Sequence, residues 1–349
     1  MNDKKTIAIL FGGCSPEHDV SLQSAHAVIS HMDTDAYQLI LIGITREGDW
    51  YLYEGPWDNI LADTWHKDCC TPITISPNRT DAVILKLLKN RVEKIHIDAV
   101  LPILHGKNGE DGTVQGLFEL AGVPVIGCGV LSSALCMDKD RAHKLVHAAG
   151  VSVPRAYVLT NESNISAACS FAETIGYPLF VKPVKAGSSF GITKVNSPTD
   201  LSAAIHTAFY YDDSVIIEQN IEGIEVGCAI IGNSMLTVGE VDEIELSEGF
   251  FDYTEKYTLK TSAIHVPARV DANTAARIKE TAKTIYLALG CRDFARVDMF
   301  LTKSGEIFFN EVNTIPGFTS HSRFPNMLKA AGMTFTEIIH AILEQAVSE

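Results

Sequence analysis

The chain has 349 residues, of which 46% are hydrophobic and 20% charged, and its formal net charge is −15. A chain of this length is too long to fold around one ordinary hydrophobic core, so two or three domains are predicted. The excess of acidic residues argues against a nucleic-acid partner. No apolar run reaches the roughly 18 residues of a spanning helix, which predicts no membrane partner. Eight cysteines without CxxC spacing favour free thiols and a cytoplasmic location.

The first 130 residues predict alternating strands and helices. Apolar strands are expected at "TIAILFGG", "YQLILIGIT", "HIDAVLPILHG" and, briefly, "VPVIGCG", with helices at "SLQSAHAVISHM" and "TVQGLFELAG". This order is typical of the α/β class and predicts an N-terminal domain, residues 1–130, built on a doubly wound parallel sheet. Ligands of such sheets bind at the carboxyl ends of the strands, where "FGGCSPE" and "LHGKNGEDG" lie. No function is predicted for segment 51–95.

Two further units of α+β character are predicted, over residues 131–221 and 222–349. The first of these contains the strand "YPLFVKPV", the loop "KAGSSFG" and the strand "SVIIEQNI". Backbone N–H groups of "KAGSSFG", and of "GKNGEDG" earlier in the chain, can cradle phosphate oxygens, although a plain surface turn explains each loop equally well. The last unit contains the polar loop "SEGFFDYTEKYTLKTSAI" and a terminal helix.

Residues 294–317 predict a β-hairpin with one polar face. If Ser304 and Gly305 form a two-residue turn, Lys303 pairs with Glu306. Side chains alternate along a strand, so positions two apart share a face. Counting outward gives two further cross-strand pairs at the open end of the hairpin: Asp298 with Glu311, and Arg296 with Asn313.

The polar face of this hairpin predicts a cation site. Asp298, Glu311 and Asn313 offer carboxylate and amide oxygens, which suit Mg²⁺ better than zinc. Mg²⁺ in proteins commonly takes one or two carboxylates together with substrate phosphates. The alternative is an ordinary solvated sheet face with a cross-strand salt bridge. The apolar residues on either side argue against a wet face.

In their order along the chain, several stretches resemble the ATP-grasp fold and, specifically, the D-alanine–D-alanine ligase family. They are "FGGCSPEHDVSLQS", "LHGKNGEDGTVQG", "MDKDRAHKL", "PLFVKPVKAGSSFGITKV", "YTEKY", "ARVDMF" and "NEVNTIPGFTSHSRFP". The resemblance covers essentially the full chain and is strongest to the vancomycin-resistance D-alanine–D-serine ligases. It implies an ATP-dependent carbon–nitrogen ligase that forms a D-alanyl phosphate.

The resemblance implies a role for residues around the nucleotide. Two Mg²⁺ ions, for which Mn²⁺ would substitute, would bridge the ATP phosphates on Asp298, Glu311 and Asn313. Lys139 and Lys182 would contact the phosphates. Ser188 and Ser189 would belong to the loop that closes over them. Four residues would border the adenine and ribose: Glu218, Gln219, Ile221 and Glu225. The alternative for Lys182 is an exposed lysine whose stem covers a strand end.

The resemblance also implies catalytic residues. Arg296 and the N–H of Gly317 would stabilise the tetrahedral oxyanion, although Arg296 also suits a role as partner of Asp298 alone. Glu17 would receive the ammonium of the first D-alanine, with Ser21 orienting it and His105 beside the substrate. Without the resemblance, Glu17 is simply an acid favoured at a helix N-terminus.

The second substrate would meet Ser322 and Arg323 through its carboxylate, because a guanidinium binds carboxylate in a bidentate fork. Lys256 and Tyr257 would lie in the loop that closes over the site and excludes water. D-lactate-using relatives lack the matching tyrosine, so "EKY" argues for an amine nucleophile. Asp242, Phe251 and Arg323 match the pattern of the D-serine-using ligases, whereas ordinary D-alanine ligases commonly have tyrosine in place of Phe251 and an apolar residue in place of Arg323.

Other functions remain open at this point. The first alternative is an ordinary D-alanine–D-alanine ligase of cell-wall synthesis. Another is an ATP-grasp ligase for a different amino acid, and a third is a nucleotide-binding domain without catalysis, which would turn over no ATP. A purely structural role predicts no nucleotide binding at all. By resemblance, a homodimer is expected.

Overall fold

Three β-sheets organise the chain, and each sheet draws its strands from one of the three predicted units. The computed structural model describes residues 4–161, 165–187, 190–246 and 262–347. Within those ranges no helix is both long enough and apolar enough to cross a membrane.

The first sheet has seven strands in the spatial order β6-β5-β4-β3-β2-β1-β7. In chain order they are β1 (Lys5–Gly12), β2 (Tyr37–Ile44), β3 (Trp50–Tyr53), β4 (Cys70–Ile75), β5 (Val83–Leu88), β6 (Arg91–His96) and β7 (Ala99–Pro102). Strands β2, β1 and β7 are parallel, as predicted from their continuous apolar sequences. The helices of this unit are α1 (His18–His31), α2 (Asp58–Leu61), α3 (Thr113–Ala121) and α4 (Val130–Met137).

The other four strands of the first sheet form an antiparallel extension that the sequence did not predict. They lie almost entirely within segment 51–95, for which no function was predicted. Trp65 anchors this extension, because its ring lies against Gly43 of β2, where an added Cβ would be 2.2 Å from the ring. The ring also packs edge-on against Phe11 at 5.0 Å. The predicted strand "VPVIGCG" is reduced to one parallel bridge between Val100 and Val125.

The second sheet has four antiparallel strands in the order β10-β9-β11-β8. They are β8 (Ala156–Leu159), β9 (Leu179–Pro183), β10 (Thr193–Val195) and β11 (Val215–Gln219). Helix α5 (Lys139–Ala148) precedes these strands and packs its Ala142 and Val146 in a different core, whereas α6 (Ile165–Ile175) and α7 (Pro198–Phe209) belong to this unit. Helices α6 and α7 pack on one face of the sheet and form its hydrophobic core. The opposite face is therefore available to a ligand.

The third sheet follows the order β15-β14-β12-β16-β17, with β13 paired to β12. The strands are β12 (Gly223–Ile231), β13 (Thr237–Val238), β14 (Asp242–Leu246), β15 (Ser262–His265), β16 (Phe294–Thr302) and β17 (Ile307–Asn313). Helix α8 (Ala272–Ala288) covers one face.

The two C-terminal helices pack against the first unit. They are α9 (Arg323–Ala330) and α10 (Phe335–Val347). Phe324 and Ile338 share a buried core with Phe11 and Leu22 of the first unit. This packing brings the chain that follows β17 against the carboxyl ends of β1 and β7.

The hairpin of β16 and β17 has the predicted face but not the predicted turn. Asp298 pairs with Glu311 and Arg296 pairs with Asn313, so both predicted pairs are confirmed. The predicted pair of Lys303 with Glu306 is wrong, because the N–H of Thr302 donates to the carbonyl of Glu306 at 2.9 Å and closes a three-residue loop.

A β-bulge restores the predicted register beyond that longer loop. The pairing shifts by one residue between Met299–Phe309 and Asp298–Glu311, which leaves Asn310 as the extra residue. The longer loop and the bulge therefore cancel, and the polar side chains reach the same face.

Candidate active site

The site lies where the three units meet. A cavity of about 350 Å³ is bounded by the carboxyl ends of β1 and β7, the start of α5 and the open end of the hairpin. Carboxyl ends of parallel strands are the expected binding edge. The cavity lining includes many of the predicted site residues: Glu17, His105, Lys139, Arg296, Glu311, Asn313, Gly317, Ser322 and Arg323.

The polar face of the hairpin is a connected hydrogen-bond network. Arg296 donates from Nε and Nη2 to the carboxylate of Asp298, at 2.9 and 2.7 Å. Nδ2 of Asn313 donates to the same carboxylate at 2.9 Å. The Asn313 amide therefore has its oxygen left to present to the cavity. Glu311 lies on the same face and also lines the cavity.

This donor set suits a hard cation, although it holds fewer acids than many metal sites. Within the described ranges, no cluster of three His, Cys, Asp or Glu side chains has metal-binding geometry. Glu311 and Asn313 offer one carboxylate and one amide oxygen directly to the cavity. Asp298 is buried behind them. Such a set matches Mg²⁺, which keeps waters and phosphate oxygens in its remaining positions.

Arg323 is shared by three carboxylates. It donates from Nε and Nη2 to Asp242, at 2.6 and 2.8 Å, and from Nη1 to Glu225 at 2.8 Å. Nη1 also lies 3.3 Å from Asp298. Burial lowers the pKa of Arg323, but these three acids outweigh it and the pKa is raised. Binding of a substrate carboxylate by Arg323, and of ribose by Glu225, stays a prediction.

Gly227 makes room for this guanidinium. It lies on β12 between Asp242 of β14 and Asp298 of β16. A Cβ added to Gly227 would be 2.6 Å from Nη2 of Arg323, 2.8 Å from Asp298 and 2.9 Å from Asp242. The guanidinium therefore lies directly over a glycine in the middle of the sheet.

Gly227→Ala is expected to destabilise the protein by about 1–3 kcal/mol, because the methyl group pushes into a filled space. Equilibrium urea unfolding measures the change. Gly116→Ala is the matched control: it lies in helix α3, and its nearest neighbour to an added Cβ is at 3.9 Å. That substitution should stabilise the helix by about 0.5–1 kcal/mol. Equal effects of the two substitutions would contradict this account of Gly227.

Glu17 lies between two glycine loops from different units. It directly precedes α1, and its carboxylate faces the cavity. A Cβ on Gly106 would be 2.5 Å from Oε2 of Glu17, and one on Gly187 would be 3.2 Å from the same atom. Glycine at both positions therefore lets the two loops close around this carboxylate.

Ser21 supports the strand ends beneath Glu17. Its hydroxyl donates to the carbonyl of Ile103 and accepts the N–H of Gly12 at 2.8 Å. These contacts tie the end of β1 to the chain after β7. The predicted orientation of Glu17 by Ser21 stays a prediction.

His105 is a neutral imidazole with both nitrogens engaged. Nδ1 lies 2.9 Å from the carbonyl of Ile315, and Nε2 lies 3.2 Å from the hydroxyl of Ser24. Burial lowers the pKa of His105, so Nδ1 donates and Nε2 accepts from the serine. Ser24 in turn accepts the N–H of Phe318 at 3.2 Å. The histidine thus contacts the segment that follows β17.

Two lysines were predicted to contact the nucleotide phosphates, and that role stays a prediction. Lys139 begins α5, lines the cavity and donates to the carbonyl of Ala186 at 2.8 Å. Lys182 pairs with the buried carboxylate of Glu218. Burial raises the pKa of Glu218, but Lys182 outweighs it and the pKa is lowered. His143, which the sequence did not single out, lies with Nδ1 3.9 Å from Glu218.

The other residues predicted for adenine and ribose lie nearby. Gln219 ends β11; its N–H donates to the carbonyl of Arg155 at 2.9 Å, and its side-chain Oε1 accepts the N–H of Arg155 at 3.4 Å. Ile221 is in the link from β11 to β12. Five further predicted residues lie outside the described part of the chain: Ser188, Ser189, Phe251, Lys256 and Tyr257.

Ser322, predicted to meet the second substrate, contacts the turn before α9. Its hydroxyl accepts the N–H of Thr319 at 3.0 Å. It also lies close to Gly317, where an added Cβ would be 2.7 Å from it. Gly317 therefore needs to lack a side chain if its N–H is to face the cavity beside Ser322.

Glu110 is a site residue that the sequence did not identify. Its carboxylate lines the cavity and accepts two backbone N–H groups, from Gly106 and Ile315. Burial raises its pKa to about 8, with the charge of Glu17 as the next cause. Nothing in "GKNGEDG" distinguishes Glu110 from its neighbour Asp111, because the contact with Ile315 depends on the tertiary fold.

A parallel-stranded unit followed by two antiparallel sheets, with a polar hairpin facing a cavity, is the arrangement of an ATP-grasp ligase, an ATP-dependent enzyme. A family model for the D-ala D-ala ligase N-terminus matches residues 6–128, and one for the C-terminus matches residues 145–344. The chain belongs to the D-alanine–D-alanine ligase family.

Similar proteins differ in their second substrate. A crystal structure described as the VanG D-Ala:D-Ser ligase from Enterococcus faecalis is 56% identical, with a TM-score of 0.93, and covers 99% of this chain and 100% of that one. A putative D-alanine–D-lactate ligase of Streptomyces coelicolor is 44% identical and covers 98% of this chain and 97% of that protein. A D-alanine–D-alanine ligase of Caldicellulosiruptor bescii is 42% identical and covers 99% of this chain and 96% of that protein.

Proposed function

We propose that this enzyme joins D-alanine to D-serine and supplies D-Ala-D-Ser for peptidoglycan precursors, as a vancomycin-resistance ligase of the cytoplasm. The observation that carries the choice of D-serine is the buried Asp242–Arg323 pair, of which Arg323 lines the cavity beside Ser322. A preference for a hydroxyl needs a polar partner, because an apolar pocket rejects an added hydroxyl only about 100-fold. The 56% identical D-Ala:D-Ser ligase supports the same choice.

In the proposed reaction, the carboxylate of a first D-alanine attacks the γ-phosphorus of ATP, and ADP leaves. The amine of the second amino acid then attacks the resulting acyl phosphate. The oxyanion that forms expels phosphate as the nitrogen loses a proton. Positioning and charge stabilisation dominate such chemistry.

Different residues of the chain would bind the first substrate, stabilise the oxyanion and hold the nucleotide. Glu17 would hold the ammonium of the first D-alanine, next to the neutral His105. Arg296 would stabilise the oxyanion together with the N–H of Gly317, a contribution often worth about 3–4 kcal/mol per donor. The nucleotide would be held by Lys139 and Lys182.

Asp298, Glu311 and Asn313 would hold two Mg²⁺ ions. When bound, these ions would neutralise charge between the nucleotide phosphates and the acyl group. Asp298 is paired with Arg296 and Arg323, so in this proposal a metal ion would compete with these two arginines for its carboxylate. We further propose a homodimer, as resemblance to the family suggests.

The second candidate is D-alanine–D-alanine ligation, which the 42% identical relative from Caldicellulosiruptor bescii supports. An alanine pocket needs only to fit a methyl group, so it would make no use of a charged pair. The buried pair of Asp242 and Arg323 therefore favours D-serine.

Product analysis distinguishes the candidates. The purified chain is incubated with ATP, Mg²⁺, D-alanine and D-serine at equal concentrations, and the products are identified by mass. We expect D-Ala-D-Ser to dominate, with phosphate release abolished by EDTA and restored by Mg²⁺ or Mn²⁺. Dominant D-Ala-D-Ala would overturn the D-serine assignment alone. The absence of ATP turnover would overturn the proposed ligation as a whole.

A further inference from the structure

Glu110 joins two units that are far apart in the chain. One carboxylate oxygen, Oε2, accepts the N–H of Gly106 at 2.9 Å within its own loop. The other, Oε1, accepts the N–H of Ile315 at 3.0 Å, in the segment that follows β17. Both oxygens of this side chain therefore hold backbone groups, one on each side of the cavity.

Ile315 is held on both sides of its backbone by the first unit. Its N–H goes to Glu110, and its carbonyl accepts the Nδ1–H of His105 at 2.9 Å. Ile315 lies midway in residues 313–317, between Asn313 and Gly317. A displacement of Ile315 would consequently move both of these residues.

We propose that Glu110 is a positioning residue, which fixes residues 313–317 against the first unit and sets the distance between the Asn313–Gly317 side of the cavity and the Glu17–His105 side. The catalytic consequence rests on the proposed function. A misplacement of about 1 Å at a reacting centre can cost about 100-fold in rate. Glu110 itself need not touch substrate for this effect.

The neighbouring Asp111 separates positioning from simple loop folding. Its carboxylate also accepts two backbone N–H groups, from Asn108 at 2.8 Å and Thr113 at 3.0 Å. Both partners belong to the first unit, so Asp111 stabilises the same loop without reaching Ile315. Asp111→Ala is therefore the matched control for Glu110→Ala.

Steady-state kinetics and thermal unfolding are measured for the full chain and for Glu110→Ala, Glu110→Gln and Asp111→Ala. Glu110→Ala is expected to lower kcat about 100-fold, with the KM for ATP changed less than about threefold, because the lysines of the nucleotide side are not attached to Ile315. Glu110→Gln keeps one oxygen acceptor, so its kcat should lie between that of Glu110→Ala and that of the unaltered chain. Asp111→Ala should lower the unfolding temperature without a comparable loss of kcat.

Hydrogen exchange at the Ile315 amide gives a readout that needs no ligase activity. The proposal predicts faster exchange of this amide in Glu110→Ala and unchanged exchange in Asp111→Ala. A kcat within twofold of the unaltered chain in both Glu110 variants would overturn it, as would unchanged exchange at Ile315. An inactive unaltered chain with the predicted exchange pattern would instead count against the proposed function and leave the role of Glu110 in fixing Ile315 supported.

Discussion

Glu311→Gln is expected to lower ligase activity by on the order of 10³-fold, the largest single effect at the polar hairpin. The substitution keeps the size of the side chain and removes the charge that faces the cavity. Loss of one preorganised electrostatic contact to a developing charge costs about 2.7–4 kcal/mol, and a lost metal ligand adds to it. ATP- and D-alanine-dependent phosphate release measures the effect, and the Mg²⁺ concentration for half-maximal activity should rise.

Glu306→Gln provides the control for this prediction. Glu306 lies at the closed end of the same hairpin, where its carboxylate accepts the hydroxyl of Ser152 at 3.0 Å. It is remote from the polar face, so its substitution should leave activity within about twofold. If Glu311→Gln retained its activity, the assignment of the metal site to this hairpin would be contradicted.

Arg323→Leu is expected to destabilise the fold by about 3–5 kcal/mol, because it leaves the carboxylate of Asp242 buried without its counter-charge, whereas Asp298 keeps Arg296. Asp242 and Asp298 are both almost fully buried. With Arg323 removed, they would lie near each other and near Glu225 without their shared cation. Equilibrium urea unfolding at neutral pH measures this loss.

The pH dependence identifies the cause of that instability. Unpaired buried carboxylates have raised pKa values, so protonation at lower pH should relieve the variant. The stability difference between Arg323→Leu and the unaltered chain is therefore expected to shrink between pH 7 and pH 5. Arg46→Leu is the control, because Arg46 and its partners Asp19 and Asp63 all reach solvent, so the loss of this arginine should have a far smaller effect. A pH-independent loss in Arg323→Leu would point to lost packing instead.

The polar hairpin shows how local patterns can succeed despite a wrong detail. Alternation of side chains placed Arg296, Asp298, Glu311 and Asn313 on one face, and the pairing confirms it. The turn was wrong by one residue, and the bulge at Asn310 compensated by one residue. The sequence predicted which residues share the polar face because this depends only on the alternation of side chains along a strand. The turn and the bulge depend on local backbone geometry, which this alternation does not encode.

In the N-terminal sheet, by contrast, local patterns predicted only part of the structure. Its parallel strands follow from continuous apolar sequences bordered by helices. The antiparallel extension, β3 to β6, has short strands with mixed burial, so it carries little periodic signal. The extension is joined to β2 by backbone pairing with β3, and Trp65 packs on Gly43 beside it, a contact that arises only in the folded sheet.

By itself, the sequence determined the alternation of strands and helices, the polar face of the hairpin and the resemblance that identifies the family. These features are local, because propensity, periodicity and motif spacing act over a few residues. Only the tertiary structure decided that Arg323 is held by Asp242, 81 positions away, and that Glu110 reaches Ile315, 205 positions away. Such contacts arise when separate units pack and bury charge, and burial makes each remaining partner obligatory.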